Sequence, residues 1–117
     1  MSKLLILVFL VFISQMASGA EIDNILKKIE VESGCKLRIT SGKRSKRHNE
    51  RVGGAKKSFH LTNRARDFRS KYRKRGCGIR RLARIACKYA TTIRYTWHIH
   101  VDIRPGKRRC WRGRYKR

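Results

Sequence analysis

The segment WHIHVDIRP, from Trp97 to Pro105, places two of the chain's four histidines and an aspartate on alternate positions. Successive side chains of a strand point to opposite faces. Read as a strand, the segment turns His98, His100, Asp102 and Arg104 to one side and Trp97, Ile99, Val101 and Ile103 to the other. The apolar row reads as a core face. The polar row offers imidazole nitrogens and a carboxylate, the donors of a metal site; a solvated strand face that happens to carry histidines is the plainer alternative. A second pair lies upstream, His60 and Asp67, seven residues apart across the turn HLTNRARD. A strand from Ala65 to Phe68 would bring Asp67 beside the strand of His100. Two neutral imidazoles and one carboxylate would leave a zinc ion with residual positive charge and a fourth position open for water. That is the catalytic rather than the structural arrangement.

These side chains need a scaffold, and the remaining sequence supplies one. EIDNILKKIEVES spaces Ile22, Ile25, Leu26 and Ile29 for a helix, with acids early and Gly34 as its stop. CKLRIT predicts a short strand with Leu37 and Ile39 inward. SGKRSKRHNERVGGAKKS breaks the pattern with Gly42, Gly53 and Gly54 and reads as a long loop with one helical turn. GIRRLARIACKYA puts Ile79, Leu82, Ala83, Ala86 and Ala90 on one helical stripe opposite arginines. TTIRYTWHIHVDIR reads as a strand pair or one bent strand, and the basic tail is expected to be irregular beyond Cys110. The predicted fold class is α+β, a small, mainly antiparallel sheet with two helices. Its predicted core is Leu37, Ile39, Phe68, Leu82, Ile85, Ile99, Val101 and Ile103.

Lys3, the apolar run Leu4 to Ile13 and the small residues Ser18-Gly19-Ala20 form the pattern of a secretory signal peptide. The apolar run is about half of the ~20 residues a spanning helix needs. The expectation is a signal peptide over residues 1–20, cleavage near Ala20 and a secreted protein, extracellular or periplasmic, with no transmembrane segment in the mature chain. Residues 21–117 then make one small domain, a monomer, with a basic tail from about residue 106. Cys35, Cys77, Cys87 and Cys110 predict two disulfides with three pairings open. A zinc-thiolate site is the weaker reading, because no pair has C-x2-4-C spacing. The 117-residue chain has 32 Lys and Arg against 7 Asp and Glu, a net charge of +25. Such a surface binds polyanions without choosing among nucleic acid, acidic membrane and anionic wall polymer.

Several ordered motifs together carry a resemblance. Ser41-Gly42-Lys43-Arg44-Ser45, His48-Asn49, Gly53-Gly54-Ala55, Ser58-Phe59-His60, Ala65-x-Asp67 and His100-Val101-Asp102 are similar to the zinc DD-peptidases. These are the D-alanyl-D-alanine carboxypeptidase-like metallopeptidases, whose zinc fold is shared with the hedgehog signalling domain. The likeness runs from about Leu37 to Pro105. It implies a hedgehog/DD-peptidase-like fold, Zn2+ as cofactor, and His60, Asp67 and His100 as its ligands. It implies Arg44 as a substrate-binding residue. It also implies that His98 is catalytic, hydrogen-bonding an oxyanion or shuttling a proton.

Three positions depart from the family pattern. Asn63 stands where a glycine is usual, and asparagine enters positive φ more readily than most residues. Lys43 replaces the tyrosine before the loop arginine. Trp97 stands where several members carry an acidic general base, three residues before the last histidine ligand. Asp102 is the nearest replacement, as a catalytic carboxylate or as the partner that orients His100. The implied function is a secreted zinc metallopeptidase acting on bacterial peptidoglycan, a DD-carboxypeptidase or endopeptidase, with peptidoglycan or another anionic envelope polymer as partner. A non-catalytic cationic antimicrobial or envelope-binding protein on the same fold is the alternative. A nucleic-acid binder, suggested by charge and by Tyr72, Tyr89, Trp111 and Tyr115, has no recognition motif and would show no specific nucleic-acid partner.

Overall fold

A computed structural model describes residues 3–114. Tyr115 and the end of the basic tail lie outside the described residues. The chain forms α1 (Lys3–Ser33), β1 (Leu37–Ser41), α2 (Lys46–Arg51), β2 (Ala65–Ser70), α3 (Ile79–Ala86), β3 (Thr91–Arg94), β4 (Ile99–Asp102) and β5 (Cys110–Arg112). The sheet order is β1-β2-β4-β3-β5, with every pair antiparallel except β3 with β5.

α1 has two unlike parts. From residue 21 onward Ile22, Ile25, Leu26 and Ile29 recur at helical spacing and are buried. The run Leu4–Ile13 is exposed throughout. By length and composition α1 can cross a membrane, a test that signal sequences near an N-terminus also pass. Gly34 ends the helix at φ 68°, the left-handed cap that glycine adopts without steric cost.

α1 and α3 cover one face of the sheet. Phe68 of β2 and Ile99 and Val101 of β4 meet Leu82, Ile85 and Ala86 of α3 and the isoleucines of α1 in one core. Arg66 shares that face, and its guanidinium donates to Asp23 of α1 at 3.1 Å. Residues 42–64, including α2, serve the opposite face. Cys35–Cys77 ties the end of α1 to the entry of α3, and Cys87–Cys110 ties the end of α3 to β5. With all four thiols oxidised, the zinc-thiolate reading is excluded.

The α+β class and mainly antiparallel sheet are as predicted, with corrections. There are three helices among the described residues, the turn at 46–51 being a short one, and α1 begins at Lys3. The segment 91–102 is a strand pair. The tail adds β5, which owes its place to pairing with β3 and to Cys87–Cys110 rather than to any local pattern. Leu37 and Ile103 are half-buried against the core. Ile39 is 49% exposed because β1 is an edge strand that runs beyond the helix cover. Trp97 is 74% exposed: β4 starts only at Ile99, so Trp97 belongs to the connection from β3 and not to the core face.

Candidate metal centre

The register of β2 against β4 sets the centre. Asp67 pairs directly with His100, on the face opposite Phe68 and Ile99, which pair next to them. His60 arrives from the turn before β2. Asn63 closes that turn at φ 59°, the one non-glycine residue with positive φ among the described residues. His60, Asp67 and His100 can each present a ligand atom such that all lie within 4.8 Å of one another. Asp67 Oδ1 is 3.2 Å from His60 Nε2 and 2.9 Å from His100 Nδ1.

The remaining ring nitrogens fix the tautomers. His60 Nδ1 lies 2.7 Å from the Gly42 carbonyl, which only accepts, so Nδ1 carries the hydrogen. His100 Nε2 lies 2.8 Å from Asp102 Oδ2. Asp102 is 1% exposed and receives Arg104 Nε at 2.8 Å and Nη2 at 2.5 Å, which keeps it ionised. Each imidazole is thus engaged from behind and turns its other nitrogen to the same carboxylate oxygen. Without a metal, a proton shared between His100 and Asp67 holds these atoms together; a metal ion would displace that proton and take the same atoms as ligands. Donation of the far N–H to a carbonyl or carboxylate is how metal-binding histidines are held. The donor set fits a metal.

Electrostatics follow the same lines. Burial works against the ionised form of Asp67, but hydrogen bonds with His100 and His60 outweigh it and hold the carboxyl well below the usual range. Asp102 is likewise disfavoured by burial as an anion, yet Arg104 and His100 lower it to about 2. For His100 burial opposes the charged form while Asp102 and Asp67 raise the net value. His98 is pushed down chiefly by burial and is neutral at neutral pH.

Around this group the structure places the other predicted residues. His98 Nε2 is 3.9 Å from Asp67 Oδ2 and borders a cleft of about 600 Å³ that also holds His60, Asp67 and His100. Arg44 reaches Asp67 Oδ2 at 3.3 Å, donates to Ser41 Oγ at 3.0 Å and to Asn49 Oδ1 at 3.4 Å. Asp102 stands behind His100, away from the cleft lining, so of its two readings the orienting one matches its position.

Sequence reasoning assigned no role to Asn49, Tyr95 or Arg104. Asn49 is buried and donates to the Ala55 carbonyl at 2.8 Å, and a Cβ on Gly54 would come within 2.0 Å of its Oδ1. The HN and GGA motifs thus form one bracket that steadies Arg44. Tyr95 stacks on His98 with ring centroids 4.6 Å apart, a contact with no local signal. Arg104 was visible as a member of the polar row.

Fold and site together define a small α+β protein with a His-Asp-His candidate metal centre in an open cleft. Residues 12–102 match the model of the family Peptidase M15, and the chain belongs to that family of metallopeptidases. The match begins inside the segment expected to be removed as a signal peptide. No curated protein and no solved structure matches the chain.

Proposed function

We propose that the chain is a secreted zinc peptidase that cleaves peptide bonds in bacterial peptidoglycan, as a DD-carboxypeptidase or endopeptidase, with His60, Asp67 and His100 as the metal ligands. The observation that carries this reading is the convergence of one ring nitrogen each from His60 and His100 on a single oxygen of Asp67, each imidazole held from behind. A tetrahedral ion with bonds of ~2.0–2.1 Å spaces its ligand atoms by roughly 3.3 Å. The 2.9 and 3.2 Å separations are close to that. When bound, zinc supplies Lewis acidity to the scissile carbonyl and lowers the pKa of water to near ~7.

The chain's own residues do the rest. Arg44, held by Ser41 and Asn49, offers directed donors to a substrate carboxylate or carbonyl. His98, neutral and at the edge of the cleft, can accept a proton or donate to a developing oxyanion. This matters because Trp97 leaves no acidic base at the usual position. Asp102 and Arg104 keep Nε2 of His100 protonated so that Nδ1 remains the ligand atom. Secretion with cleavage after Ala20 is supported by the exposed apolar run and the two disulfides. It would remove Gln15, whose carbonyl accepts from Asn63 Nδ2 at 3.2 Å.

The test is metal content of the purified protein together with products released from purified peptidoglycan. One zinc per chain and peptide products, both lost with a chelator and in His60→Ala, are expected. A metal-free protein, or release indifferent to chelator and variant, ends the proposal. The non-catalytic cationic reading is favoured by the exposed Trp97 and would show as bacterial killing that survives both chelation and His100→Ala.

A further inference from the structure

We propose that a second cavity, on the helix side of the sheet and meeting the metal cleft at Tyr95, docks a polyol-phosphate polymer of the bacterial wall. The choice of polymer rests on the wall-peptidase reading; the cavity does not. Its volume is about 510 Å³, and it is lined by Arg80, Arg81 and Arg84 of α3, Arg94 of β3 and Arg112 of β5, with no acidic residue. Arg81 is anchored on the carbonyls of Ser33 and Gly76. Among the described residues, Arg80, Arg84, Arg94 and Arg112 enter no ion pair.

Four of these arginines are exposed and Arg94 is half-buried, so an anion arriving from solvent can reach several of them at once. Arg94 and Arg112 stand at matching positions of the parallel β3–β5 pair, which sets two like charges on neighbouring strands. The scaffold imposes the arrangement, since Cys87–Cys110 fastens β5 to the end of α3. The basic residues here are all arginines, although the chain is also rich in lysine. The guanidinium fork matches phosphate oxygens two at a time. Several forks in one cavity fit a ligand that repeats its phosphate along a chain.

The lining itself has little to offer nucleic acid. Its one aromatic ring is Tyr95, which is stacked on His98. Single-stranded nucleic acid draws much of its affinity from bases stacked on aromatic platforms, and the cavity lining holds only this one ring, already stacked. A polyol-phosphate needs none. Neighbouring residues of β3 link the two sites: Arg94 lines the arginine cavity, Ile93 lines the metal cleft, and Tyr95 lines both. The two sites lie on opposite faces of the sheet and meet at Tyr95, so a polymer held by the arginines would reach the metal cleft around that rim.

The full chain is compared with Arg84→Gln/Arg94→Gln/Arg112→Gln and with a control, Lys27→Gln/Arg38→Gln/Arg69→Gln, that removes equal charge from exposed positions elsewhere. Binding to purified poly(glycerol phosphate) and to DNA is measured at matched phosphate and fixed salt, with metal content and peptide release recorded in parallel. The cavity triple should bind the polymer about tenfold or more weakly, the control should change much less, and metal content should stay constant. Should the triple not fold, Arg84→Gln alone, on an exposed helix position, should show the same preference at smaller amplitude. Equal losses in triple and control, or DNA bound as tightly as the polymer, overturn the proposal. Polymer preference without peptide release supports the cavity and overturns the peptidase reading alone.

Discussion

β2 and β4 lie side by side and show two unlike faces. On the helix side Phe68, Ile99 and Val101 are sealed beneath α1 and α3. One residue along each strand, on the other side, Asp67 and His100 are almost as deeply buried, yet every polar atom is engaged with another polar group. The first face is held by area removed from water, which tolerates shape-conserving change. The second is held by directed contacts, in which removing one partner strands the others. Strand periodicity couples them, because a slip of one residue would exchange the faces.

The comparison breaks most sharply at His100. His100→Ala should abolish metal binding, read as metal per folded chain, while the helix-side core stays protected from hydrogen exchange. A variant that keeps stoichiometric metal removes the distinction between the faces. Phe68→Ala is the converse. It should cost about 3–5 kcal/mol of stability in urea denaturation, with metal content of the folded fraction unchanged.

Asp102→Asn tests whether support behind a ligand counts as part of the site. The expected loss is about 10–100-fold in metal affinity by competition with a chelator; no change would reduce Asp102 to a buried ion pair with Arg104. Acid titration of the metal-free protein sharpens the same point. A carboxyl lowered to about 2 in the folded state contributes stability that is complete above its unfolded value of ~3.9. That contribution disappears as pH falls from about 4 toward about 2, and Arg104→Gln should narrow the window. The smallest effect is expected at Ile39 on the edge strand, where Ile39→Thr should stay within about 0.5 kcal/mol by thermal unfolding.

How far the sequence revealed this depended on where each signal resides. The alternation from His98 to Arg104 was legible because β4 is central and both its faces are committed. It overreached at Trp97, since nothing local marks where the connection ends and the strand begins. β5 has three residues and no alternation; its partner strand and its disulfide are both distant in the chain. Arg66 carries no local signal of burial, which becomes tolerable through Asp23 of α1 and the Ala65 carbonyl, both accepting from its guanidinium. The motifs around Arg44, Asn49 and Gly54 were visible as a pattern, whereas their mutual support required the folded loop.

The two disulfides divide the candidate centre in a particular way. Cys35–Cys77 closes a ring that contains β1, α2 and β2, and with them His60 and Asp67. Cys87–Cys110 closes a second ring that contains β3 and β4, and with them His98 and His100. α3 is the bridge between the rings. A metal held by His60, Asp67 and His100 would therefore be a clasp joining two loops that are each already closed. Chelation would open the clasp and leave both rings intact, their unfolded-state freedom still curtailed. Reduction would do the reverse, leaving the ion as the tie across two slack loops.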